Sequence, residues 1–233
     1  MTEKTTLRVF SVLAIRAAVD RLLPLWQQQY PDITLDIAWG PTVVIEKNIA
    51  AGQRADAVIV TVDALDRLIA AGEVRAASRI ELVDSQIGLA ALPGATHPDI
   101  SSVAALKEAL LNARSVGYSL AGASGIYFQQ LLANLGIADE VNRRATTIPE
   151  GFTARLLVEG QADIAVQQIS ELLTVEGIEI IGPLPPGAEK TLSFSAGVFS
   201  EAGQPEDAAL LLTFLRSAEA RRIFEASGLS WRE

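Results

Sequence analysis

Cysteine is absent from the 233-residue sequence, and histidine occurs once, as His97. Disulfides, thiol nucleophiles, thiolate zinc sites and multi-histidine metal centres are thereby excluded, and neither a metal nor a cofactor is expected. Positive charge is also scarce: 19 Lys and Arg face 28 Asp and Glu, for a formal net charge of −9. Such a surface repels phosphate backbones and anionic lipid, so no nucleic-acid partner is expected. Long apolar runs are missing as well. The stretch ending Ala57-Val58-Ile59-Val60 is strand-sized and far short of a bilayer span, so membrane insertion is not expected. There is no glycine-rich phosphate loop with Lys-Ser/Thr and no G-x-S-x-G elbow, so no motif assigns catalytic residues. The segment Met1–Thr6 runs straight into a strand pattern. A periplasmic location is expected if an export signal was trimmed ahead of it, and a cytoplasmic one if Met1 is the native start.

What the sequence has is an alternation of strand and helix patterns. Leu7–Phe10 reads as a strand, and Ile15, Ala18, Val19, Leu22, Leu23 and Trp26 form one helical stripe closed at Pro31. Strands follow at 33–38 and 56–61, with short helices ending near Gly52 and Gly72. A second block opens with a strand at Ile87–Leu92 and a helix at 103–111, then a strand at 115–118. Next come a helix through Ile126, Phe128, Leu131 and Leu132, one from Gly151 through Val158, and a strand at 162–166 ending in Gln167 and Gln168. Strands at 178–181 and 191–199 and helices at 205–215 and 218–226 complete the reading.

Four segments place small or hydroxylated residues where a strand turns into a helix: Ser11-Val12, Gly40-Pro41-Thr42, Ala123-Ser124-Gly125 and Glu150-Gly151-Phe152. Helix N-termini carry unpaired N–H groups and a partial positive charge of roughly half an elementary unit, which suits an anion. Serine and threonine at such places are also ordinary caps, and it is their number that points to a shared site. Tyr118 ends a strand beside the Ser124 loop, Gln167 and Gln168 end another and at most one of them is expected at the ligand, and Thr61 and Ser195 are further candidates at strand ends or crossings. Strand alternation predicts that the two glutamines face opposite sides. Trp39 either walls the site or packs in the core, and His97 reads as a solvated loop residue. Lys47 and Arg155 follow two of the junctions and read as surface residues by default.

In order along the chain, Ser11, the Gly40-Pro41-Thr42 turn, Ile49-Ala50-Ala51-Gly52, Ala55-Asp56-Ala57-Val58-Ile59-Val60-Thr61 and Leu65–Gly72 resemble the first lobe of the molybdate-type binding proteins of ABC transporters. Ala123–Phe128 and Ala162–Leu172 resemble a divergent branch of the same type II solute-binding superfamily. The resemblance implies an α/β fold of two lobes, each with a mixed, mainly parallel sheet, and a ligand cleft between them. Residues 1–86 plus 192–233 would form lobe 1 and residues 87–191 lobe 2. It further implies a small oxyanion or organic acid as ligand and an ABC permease as partner. The junctions and strand ends give Ser11, Val12, Gly40, Pro41, Thr42, Thr61, Tyr118, Ser124, Gly125, Gly151 and Gln167 as the residues expected to hold that ligand, and a monomer is expected. The first two turns depart from the Ala-Ser pair and paired serines of molybdate binders, which points away from molybdate itself. Aconitate isomerase resembles the same branch. The alternative is therefore an isomerase acting on a small polycarboxylate, with Glu150 or Tyr118 as proton-transfer group.

Overall fold

The computed structural model describes residues 4–233. By its contacts the chain divides into two compact units, Met1–Asp84 with Ser193–Glu233, and Ser85–Leu192.

In unit 1, β1 (Thr5–Ser11) pairs in parallel with β2 (Ile33–Trp39) and with β3 (Ala57–Thr61), and β3 pairs antiparallel with β9 (Thr191–Val198). The start of β4 (Ile80–Ala91) and the two-residue β10 (Ser230–Trp231) complete this sheet. The central strand β3 is buried at four consecutive positions, whereas β2, paired on one side only, alternates between inward and outward residues. That contrast is why the first reads as a continuous apolar run and the second as a period-two pattern. Helices α1 (Arg16–Gln29), α2 (Thr42–Ala50) and α3 (Val62–Ala70) each follow a parallel strand. Gly72, at φ 75°, ends the chain's run out of α3 in the left-handed region that glycine enters without steric cost. Trp26 of α1 is 1% exposed, donates to the Ile33 carbonyl at 3.0 Å, and meets Phe214 of α9 (Pro205–Leu215) edge to face at 5.3 Å. The last helix, α10 (Ala218–Ala226), is capped by Ser217, whose hydroxyl accepts from the Ala220 amide at 3.1 Å.

In unit 2 the sheet order is β4, β7 (Ile164–Gln168), β5 (Val116–Ser119), β6 (Thr146–Ile148), with β8 (Glu179–Pro183) also on β4. The pairs β5–β7 and β5–β6 are parallel, and β4 runs antiparallel to β7 and β8. Helices α4 (Val103–Asn112), α5 (Ala123–Asn134), α6 (Ala138–Asn142), α7 (Arg155–Val158) and α8 (Ile169–Leu172) belong to this unit. Its core joins Ala90, Leu156, Leu157, Ala165 and Leu172. The fold is the expected α/β one with mixed sheets. The expected helix from Gly151 onward contracts to the four residues of α7, and α6, β6 and α8 are additions to the sequence reading.

Candidate functional site

In parallel strands followed by helices, the strand C-terminal ends line up and the helix N-termini gather along them. Unit 1 shows this directly. Ser11 at the end of β1 is in register with Trp39 of β2 and Ile59 of β3. The Ser11 carbonyl accepts from the Gly40 amide, and the Val12 amide donates to the Ile59 carbonyl, both at 3.1 Å. The Thr61 amide donates to Thr42 Oγ1 at 3.3 Å. Ser11, Gly40, Thr42 and Thr61 therefore sit on one sheet edge.

The same bonds correct two expectations. The Val12 and Gly40 amides are spent on neighbouring carbonyls and are not left for a ligand, and Pro41 has no N–H. Pro41 serves instead as the residue ahead of α2, accepting from the Val44 and Ile45 amides at 3.0 Å. What unit 1 can offer are hydroxyls and the first amides of α2, which an α-helix leaves without an internal carbonyl. Thr42 is 8% exposed, and since its oxygen accepts from Thr61, its own hydrogen is left to donate. Thr61, ahead of α3, makes no side-chain cap bond. Ser11 is buried, and its hydroxyl donates to the Val12 carbonyl at 3.2 Å.

Unit 2 centres on the N-terminus of the 12-residue helix α5. Ser119, the last residue of β5, and Ser124, in the first turn of α5, are each 1% exposed. Neither Oγ has a hydrogen-bond partner among the described residues. A Cβ on Gly122 would lie 2.6 Å from Ser119 Oγ and 3.9 Å from Ser124 Oγ. The two hydroxyls thus flank the same backbone, at a place open only because residue 122 has no side chain. Buried hydroxyls almost always have partners, so these two, at a helix N-terminus, are the candidate donors of this unit. Ser119 was not singled out by the sequence reading, and its only signal there was its position at the strand end.

Gln167 and Gln168 are both buried, and both side chains reach one carboxyl, contrary to the expected opposite facing. Gln167 Nε2 donates to Glu171 Oε2 at 2.6 Å and to the Gly151 carbonyl at 2.7 Å, and Gln168 Nε2 donates to Glu171 Oε1. The turn into α8 directly after Gln168 breaks the strand alternation and brings Glu171 back under both amides. Gln167 Oε1 accepts from the Thr153 amide at 2.9 Å and from the Thr153 hydroxyl at 3.1 Å. The Gly151 segment is consequently pinned by a side chain, and α7 is too short to act as an anion-binding N-terminus. Glu171 is 5% exposed; burial, opposed by the two glutamine bonds, pushes its carboxyl up to about 8.

Tyr118 is 3% exposed, stacks edge to face on Phe128 at 5.2 Å, and donates to Asn142 Oδ1 at 2.6 Å. Burial raises its pKa, so its hydroxyl is a packed, neutral donor to another side chain. Glu150 is exposed. His97 pairs with Glu179 at 3.1 Å, and Ser195 donates to Glu81 at 2.6 Å. Trp39 is half-buried with the Arg16 guanidinium 5.6 Å from its ring centroid, and Lys47 and Arg155 are exposed. A cavity of about 400 Å³ in unit 2 opens at the start of β7, the opposite sheet edge from Ser119. Asp99, Glu108 and Asp163 line it, which disfavours an anion there. No group of His, Asp and Glu among the described residues could hold a metal ion, and none of their helices is long and apolar enough to cross a membrane.

Against known proteins, the family model for bacterial extracellular solute-binding proteins matches residues 7–230. Aconitate isomerase of a Pseudomonas species is 35% identical over 231 residues, covering 97% of this chain and 87% of that protein. A Bacillus subtilis (strain 168) lipoprotein, YvgL, assigned to ABC transporter substrate binding, is 21% identical over 98% of this chain and 87% of its own length. Among solved structures, the periplasmic molybdate-binding protein of Azotobacter vinelandii superimposes with a TM-score of 0.79 at 14% identity, covering 97% of this chain and 100% of that one.

Proposed function

We propose that this chain, which belongs to the family of bacterial extracellular solute-binding proteins, captures a small carboxylate or oxyanion with uncharged donors and passes it to an ABC permease. The observation that carries this reading is the pair of buried hydroxyls, Ser119 and Ser124, without partners at the N-terminus of α5. Hydroxyl and amide donors at a helix start hold an anion without a fixed counter-charge. In a chain of net charge −9, such local donors have to outweigh an unfavourable overall field. In unit 1, the Thr42 and Thr61 hydroxyls with the first amides of α2 offer donors of the same kind. A periplasmic location accords with the family.

The test is a panel of molybdate, sulfate, citrate and cis- and trans-aconitate, read by thermal shift and calorimetry. A ligand held at one hundred times its Kd stabilises by about 2.7 kcal/mol, enough for a clear rise in melting temperature. A carboxylate is expected to give the largest rise. A melting curve unmoved by every member of the panel would refute anion capture. Affinity lost in Thr42→Ala or Thr61→Val would assign the unit 1 donors to the same binding event.

The identity to aconitate isomerase supports a second reading, an isomerase on this fold. Such a reaction removes a proton from one carbon and returns one to another as the double bond shifts, with donors on the developing negative charge. Helix-start hydroxyls would supply those donors. Incubation with cis-aconitate, followed by chromatography, separates the readings: a constant isomer ratio supports capture, and interconversion assigns the isomerase.

A further inference from the structure

Glu171 is a buried carboxyl that the binding reading leaves without a task. Its two oxygens are each held by a neutral carboxamide, Gln167 on one and Gln168 on the other, and no cation among the described residues pairs with it. The charged side chains of residues 148–155 and 172–180, namely Glu150, Arg155, Glu176 and Glu179, are exposed. Leu172, next to Glu171 in the chain, belongs to the apolar core cluster of this unit with Leu156 and Leu157.

The contacts lead from this carboxyl to the α5 half-site in three steps. Glu171 grips Gln167, and Gln167 spans the Gly151 carbonyl and the Thr153 amide. The same segment accepts, at Ile148 and Pro149, from the Leu120 and Ala121 amides at 2.9 Å. Those two residues lie between Ser119 and Gly122.

We propose that Glu171 is a positioning residue: through Gln167 and the 148–153 segment it sets the Ser119–Ser124 donors, so that the charge on its carboxyl governs anion affinity. This rests on the binding function proposed above. The neutral acid leaves the half-site free of nearby negative charge. Ionisation places an anion without a counter-charge in the core of the same unit, changes the strength of the two carboxamide bonds that anchor Gln167 and Gln168, and opposes the ligand's own charge. Burial sets that transition near pH 8, well above the ordinary carboxyl range. Affinity is therefore highest in the neutral form.

The experiment uses the full chain with trans-aconitate as probe, titrated by calorimetry from about pH 6.5 to about pH 9.5. In parallel, amide hydrogen exchange of residues 148–157 is followed without ligand. The expected result is a roughly 10-fold fall in wild-type affinity across that range, with faster exchange in 148–157 after correction for intrinsic rates. Glu171→Gln is expected to abolish both responses, because it has no proton to lose across this range. Gln167→Met, which cuts the relay but leaves the acid, is expected to weaken binding and uncouple exchange in 148–157 from pH. A Glu171→Gln protein that keeps the wild-type pH slope would overturn the proposal, as would a Gln167→Met protein whose exchange still follows pH. If the wild type binds no probe, anion capture of this ligand fails, and the exchange data alone decide the coupling.

Discussion

A Cβ on residue 125 would come within 1.5 Å of the Ser119 carbonyl oxygen, so α5 meets the end of β5 at a distance that only glycine permits. The obstacle is backbone, which cannot swing aside as a side-chain tip would. Gly125→Ala is expected to cost about 3 kcal/mol or more, in the upper range of overpacking, and to abolish anion binding by moving Ser124 away from Ser119. Urea denaturation and calorimetry check this. A Gly125→Ala protein with wild-type stability and affinity would contradict the packing described.

Ser119→Ala and Ser124→Ala separate binding from folding. Each hydroxyl is buried without a partner, so its removal deletes no internal hydrogen bond. Stability without ligand should stay equal or rise slightly, whereas each lost donor to an anion should weaken affinity by about 10-fold, or ~1.4 kcal/mol. Variants that lose stability and retain affinity would make these serines structural.

Glu171 makes a prediction for stability as well as binding. Its carboxyl is raised, chiefly by burial, from 4.5 to about 8, so the folded state holds its proton more tightly than the unfolded chain. The contribution is complete below the unfolded value and is lost progressively as pH rises through the folded one. The difference in unfolding free energy between wild type and Glu171→Gln should therefore move against the wild type by a few kcal/mol between about pH 4.5 and about pH 8. Denaturation curves of both proteins across that interval measure it, and a difference independent of pH would show that the acid is not held neutral.

Asp56, 7% exposed, accepts from the Arg8 amide through one oxygen and from the Gln204 amide through the other, each at 2.9 Å. It ties the start of β3 to β1 and to the residue ahead of α9. Asp56→Ala leaves both amides without their acceptor and should cost about 3 kcal/mol; Asp56→Asn, with one acceptor oxygen, should cost about half. Chemical denaturation that finds Asp56→Ala within about 0.5 kcal/mol of wild type would remove this tie from the account.

Much of this molecule can be read along the chain. The order of strands and helices, the ends of α9 and α10, and the absence of metal-binding cysteine and histidine sets follow from residue type and local spacing, because turns, caps and apolar periodicity act over a few residues. The start of β4 escaped that reading. There Glu81 and Asp84 break the apolar pattern, and they are accommodated only by Arg79, Arg232, Ser193 and Ser195. The site escaped it in part for the same reason. Residue type marked Ser11, Thr42, Ser124 and Gly125 as able to serve an anion. Only the tertiary structure decided that the Val12 and Gly40 amides are taken by neighbouring strands, that Tyr118 turns to Asn142, and that Glu171 lies beneath two glutamines. A side chain's chemistry is carried by its own atoms. Whether its hydrogen-bonding capacity is spent depends on partners distant in sequence, which meet it only when the chain is packed.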